Sequence, residues 1–234
     1  MILNYFKFSH EGLDYTFFGE EKTHFMRDFR RNKTFYELPF LNFLKELDVT
    51  GSYIDGGCFV GNHTIFFSNH CKSTHVYAID PDLYFHDLWE KNCETNLINK
   101  NKVVFLHYAL MEKEGYIELN PSKTQPQLSC VDVKDLEVLD EGKLKATTLD
   151  KLFSLLDPKE KIALIKLDIE GCELSALKGA IDIIKEHKPI ITAEAYTKPE
   201  QDAIQAFLYP LNYELLRVFR TGIPMYVFRS KDAS

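Results

Sequence analysis

The stretch that most constrains the fold is Ser52–Phe67, SYIDGGCFVGNHTIFF. It reads as a short buried strand ending in Asp55, a turn built on Gly56, Gly57 and Gly61, and a helix opened by Ile65, Phe66 and Phe67. A strand, a glycine turn and a helix in that order are the start of an open α/β unit, and ligands of such sheets bind outside the carboxyl ends of the strands. Glycine lets the main chain approach a ligand with no side chain between.

The turn reads D-x-G-x-x-x-G rather than the G-x-G-x-x-G of a dinucleotide site. An acid there repels a pyrophosphate and attracts a cation, such as the ammonium and sulfonium of S-adenosylmethionine. Asp80 ends the next strand-like run, HVYAID. An acid about 20 residues beyond such a turn is placed to hold ribose hydroxyls. The plainer alternative is a strand-to-helix turn that happens to carry an acid.

The 234 residues suit one α/β domain, and 45% hydrophobic with 27% charged residues is ordinary globular composition. A net charge of −7 argues against nucleic acid as the main partner. The five cysteines, at 58, 71, 93, 130 and 172, form no C-x-x-C pair. That pattern fits reduced thiols and a cytoplasmic protein. The sequence shows no long apolar run and no signal-like start, so neither a membrane span nor a membrane partner is expected. Oligomeric state is left open.

Residues 1–50 form an aromatic-rich cap, with short strands or a hairpin and a helix over 34–47. Residues 51–234 form the main domain. Within it the pattern predicts strands at 75–80, 103–107, 115–119, 143–149, 162–167, 190–193, 213–219 and 225–229, the last two as an antiparallel hairpin. Helices are expected from Asp82 to about Leu97, at 149–156, in one run through Leu174, Leu177, Ile181 and Ile184, and at 199–208. Residues 120–131, NPSKTQPQLSCV, read as a loop long enough to serve as a lid.

Four blocks carry a family resemblance: YIDGGCFVGNHTIFF, VYAIDPDLYFHDLWEKNCETN, TTLDKLF, and IALIKLDIEGCELSALKGA with the PIITAE that follows. Over roughly residues 51–194 the chain resembles the FkbM-type S-adenosylmethionine-dependent methyltransferases. The resemblance implies a seven-stranded, mostly parallel Rossmann-like sheet, the class I methyltransferase fold, with helices on both faces. It implies S-adenosyl-L-methionine as cofactor. Asp55, Gly57 and Gly61, with neighbouring Asn62 and Thr64, would surround its methionine part. Asp80 and Pro81 would meet the ribose, and Tyr108 and Ala109 the adenine. The family more often has asparagine where this chain has Phe59, and Glu-Pro where it has Asp80-Pro81. The family also implies O-methylation, here of a sugar hydroxyl, in glycan (capsule, lipopolysaccharide) or secondary-metabolite synthesis.

Methyl transfer is an in-line displacement, so alignment and water exclusion matter most, and a hydroxyl acceptor gains from a nearby base. Lys166 and Asp168 share one strand face, Glu170 and Glu173 follow, and Glu194 ends the neighbouring strand. Asp168 and Glu194 are the leading bases, with Lys166, Glu170 and His63 as further catalytic candidates. The plainer readings are helix capping for Glu170 and Glu173, an ion pair with Asp168 for Lys166, and a structural role for His63. A divalent metal on Asp168 and Glu194 is possible by ligand type but not favoured, since no third ligand is evident. The expected partner is a soluble sugar or sugar nucleotide, entering between cap and loop, where Lys123 would meet a phosphate. Two other functions compete: a nicotinamide-dependent oxidoreductase and a non-catalytic cofactor-binding module.

Overall fold

The structure is a computed structural model; it describes residues 3–21, 23–118, 143–156, 161–220 and 222–232. The lid expected at 120–131, with Lys123, lies outside the described residues.

The chain begins with a hairpin of β1 (Leu3–His10) and β2 (Leu13–Glu20), paired antiparallel. Two helices follow, α1 (His24–Asn32) and α2 (Leu38–Glu46). The sequence reading missed α1, which announces itself through its ends. The Thr23 hydroxyl accepts from the Met26 N–H at 3.3 Å, and Lys33 closes the helix in the left-handed region. Its buried residues are Phe25, Met26 and Phe29.

The main domain then alternates: β3 (Gly51–Gly56), α3 (Asn62–His70), β4 (Ser73–Ile79), α4 (His86–Asn96), β5 (Val103–Leu106), β6 (Ala109–Leu110), β7 (Gly115–Glu118), β8 (Lys143–Thr147) and α5 (Leu149–Leu156). It continues with β9 (Ile162–Leu167), α6 (Glu173–Lys178), α7 (Ile181–His187), β10 (Ile190–Glu194), α8 (Lys198–Leu208), β11 (Tyr213–Phe219) and β12 (Met225–Ser230). Seven strands form one sheet in the order β11-β12-β10-β9-β3-β4-β5. The five from β10 to β5 run parallel; β12 and β11 add an antiparallel edge, as expected of the terminal hairpin. The order reverses at β3, whose neighbours are β4 and β9, so the crevice at the carboxyl ends opens there.

β3 and β9 are buried at every position, as central strands covered on both faces should be. One core packs the cap aromatics (Phe8, Tyr15, Phe17, Phe29, Phe35) against Ile65, Phe66 and Phe67 of α3. The cap therefore shares its core with the main domain. The other core lies on the opposite face, between the sheet and α5 to α8.

Two expectations shift. The helix after Pro81 starts at His86, because the Asp80 and Asp82 carboxylates accept from the Asp82 and Tyr84 N–H groups at 2.9 and 2.8 Å. These side-chain turns compete with helix. The single helix expected through Leu174 and Ile184 is two, α6 and α7. The Asp150 carboxylate accepts from the Asp182 and Ile183 N–H groups at 3.1 and 3.0 Å and so starts α7 afresh. Beyond β5, Ala109 and Leu110 join a small three-stranded sheet, ordered β6-β8-β7. No described helix is long and apolar enough to cross a membrane.

Candidate active site

A cavity of about 700 Å³ opens at the carboxyl ends of β3, β4, β9 and β10. Its size is that of a small-molecule site. The turn after β3 contributes Gly57, Cys58 and Phe59, and α3 contributes Asn62 and His63. Asp80 and Pro81 line it after β4, Tyr108 and Ala109 beyond β5. Asp168 and Glu170 line it after β9, Glu194 and Tyr196 at and after β10. The cap adds Thr23, Phe25 and Tyr36.

Asp55, Gly61, Thr64 and Lys166 sit behind this cavity rather than on it. Parallel pairing sets Asp55 opposite Lys166. The Lys166 Nζ lies 2.9 Å from Asp55 Oδ1, and the Thr64 hydroxyl donates to Asp55 Oδ2 at 2.6 Å. The same ammonium donates to the carbonyls of Gly56 at 3.1 Å and Gly57 at 2.9 Å. Burial opposes the charge on Asp55, but Lys166, His63 and Thr64 outweigh it and hold the carboxyl below its ordinary range. Burial likewise opposes the charge on Lys166, and Asp55 and Asp168 overcome it, holding the ammonium above its ordinary range. Lys166 thus stays charged and spends its donors on the turn, which corrects the expectation of a catalytic lysine. Asp55 holds the turn from beneath, and its charge is neutralised by a lysine instead of being offered to a ligand.

Gly57 has φ +75°, and a Cβ there would lie 1.8 Å from the Asp168 carbonyl oxygen. Close packing of the β3 and β9 turns demands glycine at this point, before any ligand is considered.

Asn62 lines the cavity but also works as a tie. Its carboxamide accepts from the Tyr36 N–H and donates to the Tyr36 carbonyl, both at 3.1 Å. His63 faces Glu37, with Nε2 3.3 Å from Oε2 and both side chains buried. Glu37 was not anticipated, and neither were Tyr36 and Tyr196. Nothing in the spacing of these residues sets them apart; only the fold brings them together.

Asp80 accepts from the Phe59 N–H at 3.0 Å as well as from Asp82. Burial pushes its carboxyl above the ordinary range, against the pull of those two N–H groups. Phe59 itself stands at φ 47°, its ring 4.4 Å from Phe85 and 5.8 Å from Phe25, centroid to centroid.

The acidic end of the cavity carries the strongest electrostatics. Glu194 is buried, and its carboxyl is pushed well up by burial first and by the adjacent Asp168 second. Both causes favour the protonated form of Glu194. Glu194 Oε2 has no hydrogen-bond partner. Tyr196 donates to Glu170 at 2.5 Å. Glu173 points away from the cavity: its Oε1 accepts from the Ile169 and Gly171 N–H groups at 2.9 and 3.3 Å, and burial raises its carboxyl to about 7. Among the described residues, no lysine or arginine lines the cavity.

The comparisons agree with this architecture. The structure resembles an FkbM methyltransferase of Methylobacillus flagellatus, with 18% identity and a TM-score of 0.59 over 76% of this chain and 43% of that one. The chain thus spans less than half the length of that protein. An rRNA methylase of Streptococcus thermophilus shares 15% identity at a TM-score of 0.50, covering 82% of this chain and 94% of that one. A structure described as a putative RNA methyltransferase, from Pyrococcus horikoshii, shares 11% identity at 0.50, covering 82% and 81%. At these identities the likeness speaks for the fold. No curated protein matches the sequence. The sequence model of the methyltransferase FkbM domain matches residues 55–220, most of the chain, and by that match, on the fold just described, the chain belongs to the FkbM methyltransferase family.

Proposed function

We propose that this methyltransferase uses S-adenosyl-L-methionine to methylate a hydroxyl of a soluble carbohydrate, as in glycan or secondary-metabolite synthesis. The observation that carries the reading is the Asp168–Glu194 pair on the cavity wall, beside the Gly57 turn.

The residues present fit the cofactor. The cavity has the volume, Asp80 stands at its β4 edge with a lone pair left on each oxygen, and Tyr108 and Ala109 line it beyond β5, where the family resemblance puts the adenine. The bound cofactor supplies an electrophilic methyl group on sulfur. The protein's own part is to align the acceptor hydroxyl and exclude water, with Phe25, Tyr36 and Phe59 closing the cavity from the cap side. Asp168 accepts the hydroxyl proton, while protonated Glu194 donates to Asp168 and fixes its orientation.

A carbohydrate suits the walls, since aromatic rings lie well along the apolar faces of sugars. The test is transfer of labelled methyl to a panel of sugars, sugar nucleotides, small phenols, peptides and RNA. Label on sugar oxygen is expected, and Asp168→Asn should lower the rate about 10²–10⁴-fold with cofactor affinity little changed. Label confined to the phenol, peptide or RNA fractions would overturn the acceptor. Full turnover in both Asp168→Asn and Glu194→Gln would overturn the base.

A further inference from the structure

The far end of α3 holds a second cluster of chemically capable side chains. It lies about 12 Å along the helix from Asn62, at 1.5 Å per residue. His10 ends β1, Glu11 opens the hairpin turn, and His70 is the last residue of α3. Their donor atoms all lie within 4.8 Å of one another. His70 Nδ1 is 3.1 Å from Glu11 Oε2, and His10 Nε2 is 3.9 Å from Glu11 Oε1. A tetrahedral ion with bonds of about 2.0–2.1 Å wants ligand atoms about 3.3 Å apart, so small side-chain rotations suffice.

We propose that His10, Glu11 and His70 form a site for a late first-row divalent cation, Zn²⁺ in the first instance, which clips the cap hairpin to the end of α3. Three further features point the same way. His10 Nε2 is buried and has no hydrogen-bond partner, and in the tautomer protonated at Nδ1 its lone pair is free for an ion. His70 presents Nδ1 to the cluster while Nε2 lies 2.7 Å from the Tyr15 hydroxyl, which also accepts from the Asn69 carboxamide at 3.3 Å. That outer contact is what fixes the tautomer and ring plane of a metal-bound histidine. The ring edges of Phe35 and Phe66 close the inner side, with Phe35 centred 5.5 Å from His10 and Phe66 5.0 Å from His70.

Two imidazoles with one carboxylate select zinc-like ions over Mg²⁺ or Ca²⁺, which prefer oxygen, and leave the fourth position to water. Positive charge already stands before Glu11. Lys45 Nζ lies 2.6 Å from Oε1 and 2.5 Å from Oε2. A divalent ion held by two imidazoles as well displaces this ammonium into solvent, so Lys45 competes with the metal. An ordinary surface ion pair offers no such relation.

The test is calorimetric titration of EDTA-stripped full-length protein with Zn²⁺, with Mg²⁺ and Ca²⁺ as controls, alongside thermal melts. One Zn²⁺ per chain is expected, with a melting temperature raised by about 5–10 °C at a hundredfold excess over Kd. Glu11→Gln, at the exposed hairpin tip, and His10→Ala should each abolish the saturable heat. Tyr15→Phe should weaken binding about 10–100-fold. Lys45→Met should tighten it, where an ion-paired surface cluster would simply lose stability. Absence of saturable Zn²⁺ binding, equal binding of Mg²⁺, saturable heat surviving Glu11→Gln or His10→Ala, unchanged affinity in Tyr15→Phe, or no gain in Lys45→Met would overturn the site.

Discussion

The turn after β3 and the cap hairpin both pack onto the main domain, yet they are attached in opposite ways. The turn is held by buried charge: one ammonium, Lys166, binds the Asp55 carboxylate and two main-chain carbonyls. The hairpin, beyond its share of the aromatic core, is tied to α4 by neutral carboxamides. Asn92 accepts from the Phe18 N–H at 2.7 Å and donates to the Phe18 carbonyl at 3.1 Å; Asn96 does the same with Thr16, both at 2.7 Å. One helical turn apart on α4, the two side chains pair with β2 as a neighbouring strand would. Buried charge is costly alone and strong when paired, whereas each carboxamide tie is worth an ordinary hydrogen bond or two. The site-bearing turn should therefore fail abruptly, and the cap gradually.

The largest expected effect is at Lys166. Lys166→Met leaves Asp55 buried without its ammonium, with the Thr64 hydroxyl and the nearby His63 as its remaining support, and should cost about 3–5 kcal/mol in urea denaturation. Asp55→Asn in the same chain should recover much of that loss. A single variant losing less than about 1 kcal/mol would break the contrast at its stronger end.

Asp55 has a cation; Glu173, the first residue of α6, is held instead by two N–H groups of the turn after β9. With a folded pKa of about 7 against an ordinary 4.5, the folded chain keeps a proton that the unfolded chain has released. Stability therefore falls as pH rises from about 4.5 to about 7 and levels off above that. Glu173→Gln keeps an accepting oxygen and cannot ionise. It should gain roughly 2–3 kcal/mol at pH 8 and nothing near pH 4. A gain independent of pH would mean that packing, and not the proton, separates the two variants.

Asn92→Ala comes next. It removes the two bonds to Phe18 and a third to the Val60 carbonyl at 2.9 Å, leaving buried main-chain groups unpaired. About 1–3 kcal/mol is expected. Hydrogen exchange should quicken in β1 and β2 while β3 and β9 stay protected. Equal loss of protection in all four strands would show that cap and sheet open as one unit.

The sheet and its glycine turn were legible in the sequence because their signals are local. Buried strands are continuous apolar runs, and a turn needing positive φ must spend glycine. The candidate site was legible where it follows strand ends, as at Asp80, Asp168 and Glu194. It was illegible where one side chain serves another across the fold. Asp55 looks like a ligand-facing acid until β9 brings Lys166 beside it, and Asn62 looks like a cofactor contact until Tyr36 arrives. The hairpin could be read from its aromatics, but its attachment could not, because Asn92 and Asn96 on α4 look like any polar helix surface.

Phe59 carries the smallest expected effect and the finest test. It stands in the left-handed region, where a bulky residue costs about 1–2 kcal/mol and asparagine is the tolerated choice. The Phe59→Asn variant would relieve that strain and keep the N–H that Asp80 accepts, since a main-chain bond does not depend on the side chain. It would also forfeit the ring pairs with Phe85 and Phe25, worth about 0.5–1.5 kcal/mol each beyond their buried area. The relief offsets only part of the loss, because the part-buried ring area goes too, so Phe59→Asn should cost about 1–2 kcal/mol. Its larger consequence lies at the join between the regions, because the Phe25 contact is where the cap reaches the turn. Asn92→Ala and Phe59→Asn should therefore lose less together than the sum of their separate losses, since a loosened hairpin already weakens the hold of α1 and Phe25 on the ring. A double-mutant cycle measures this directly. Strict additivity would mean that the hairpin and the turn are secured independently, each by its own chemistry.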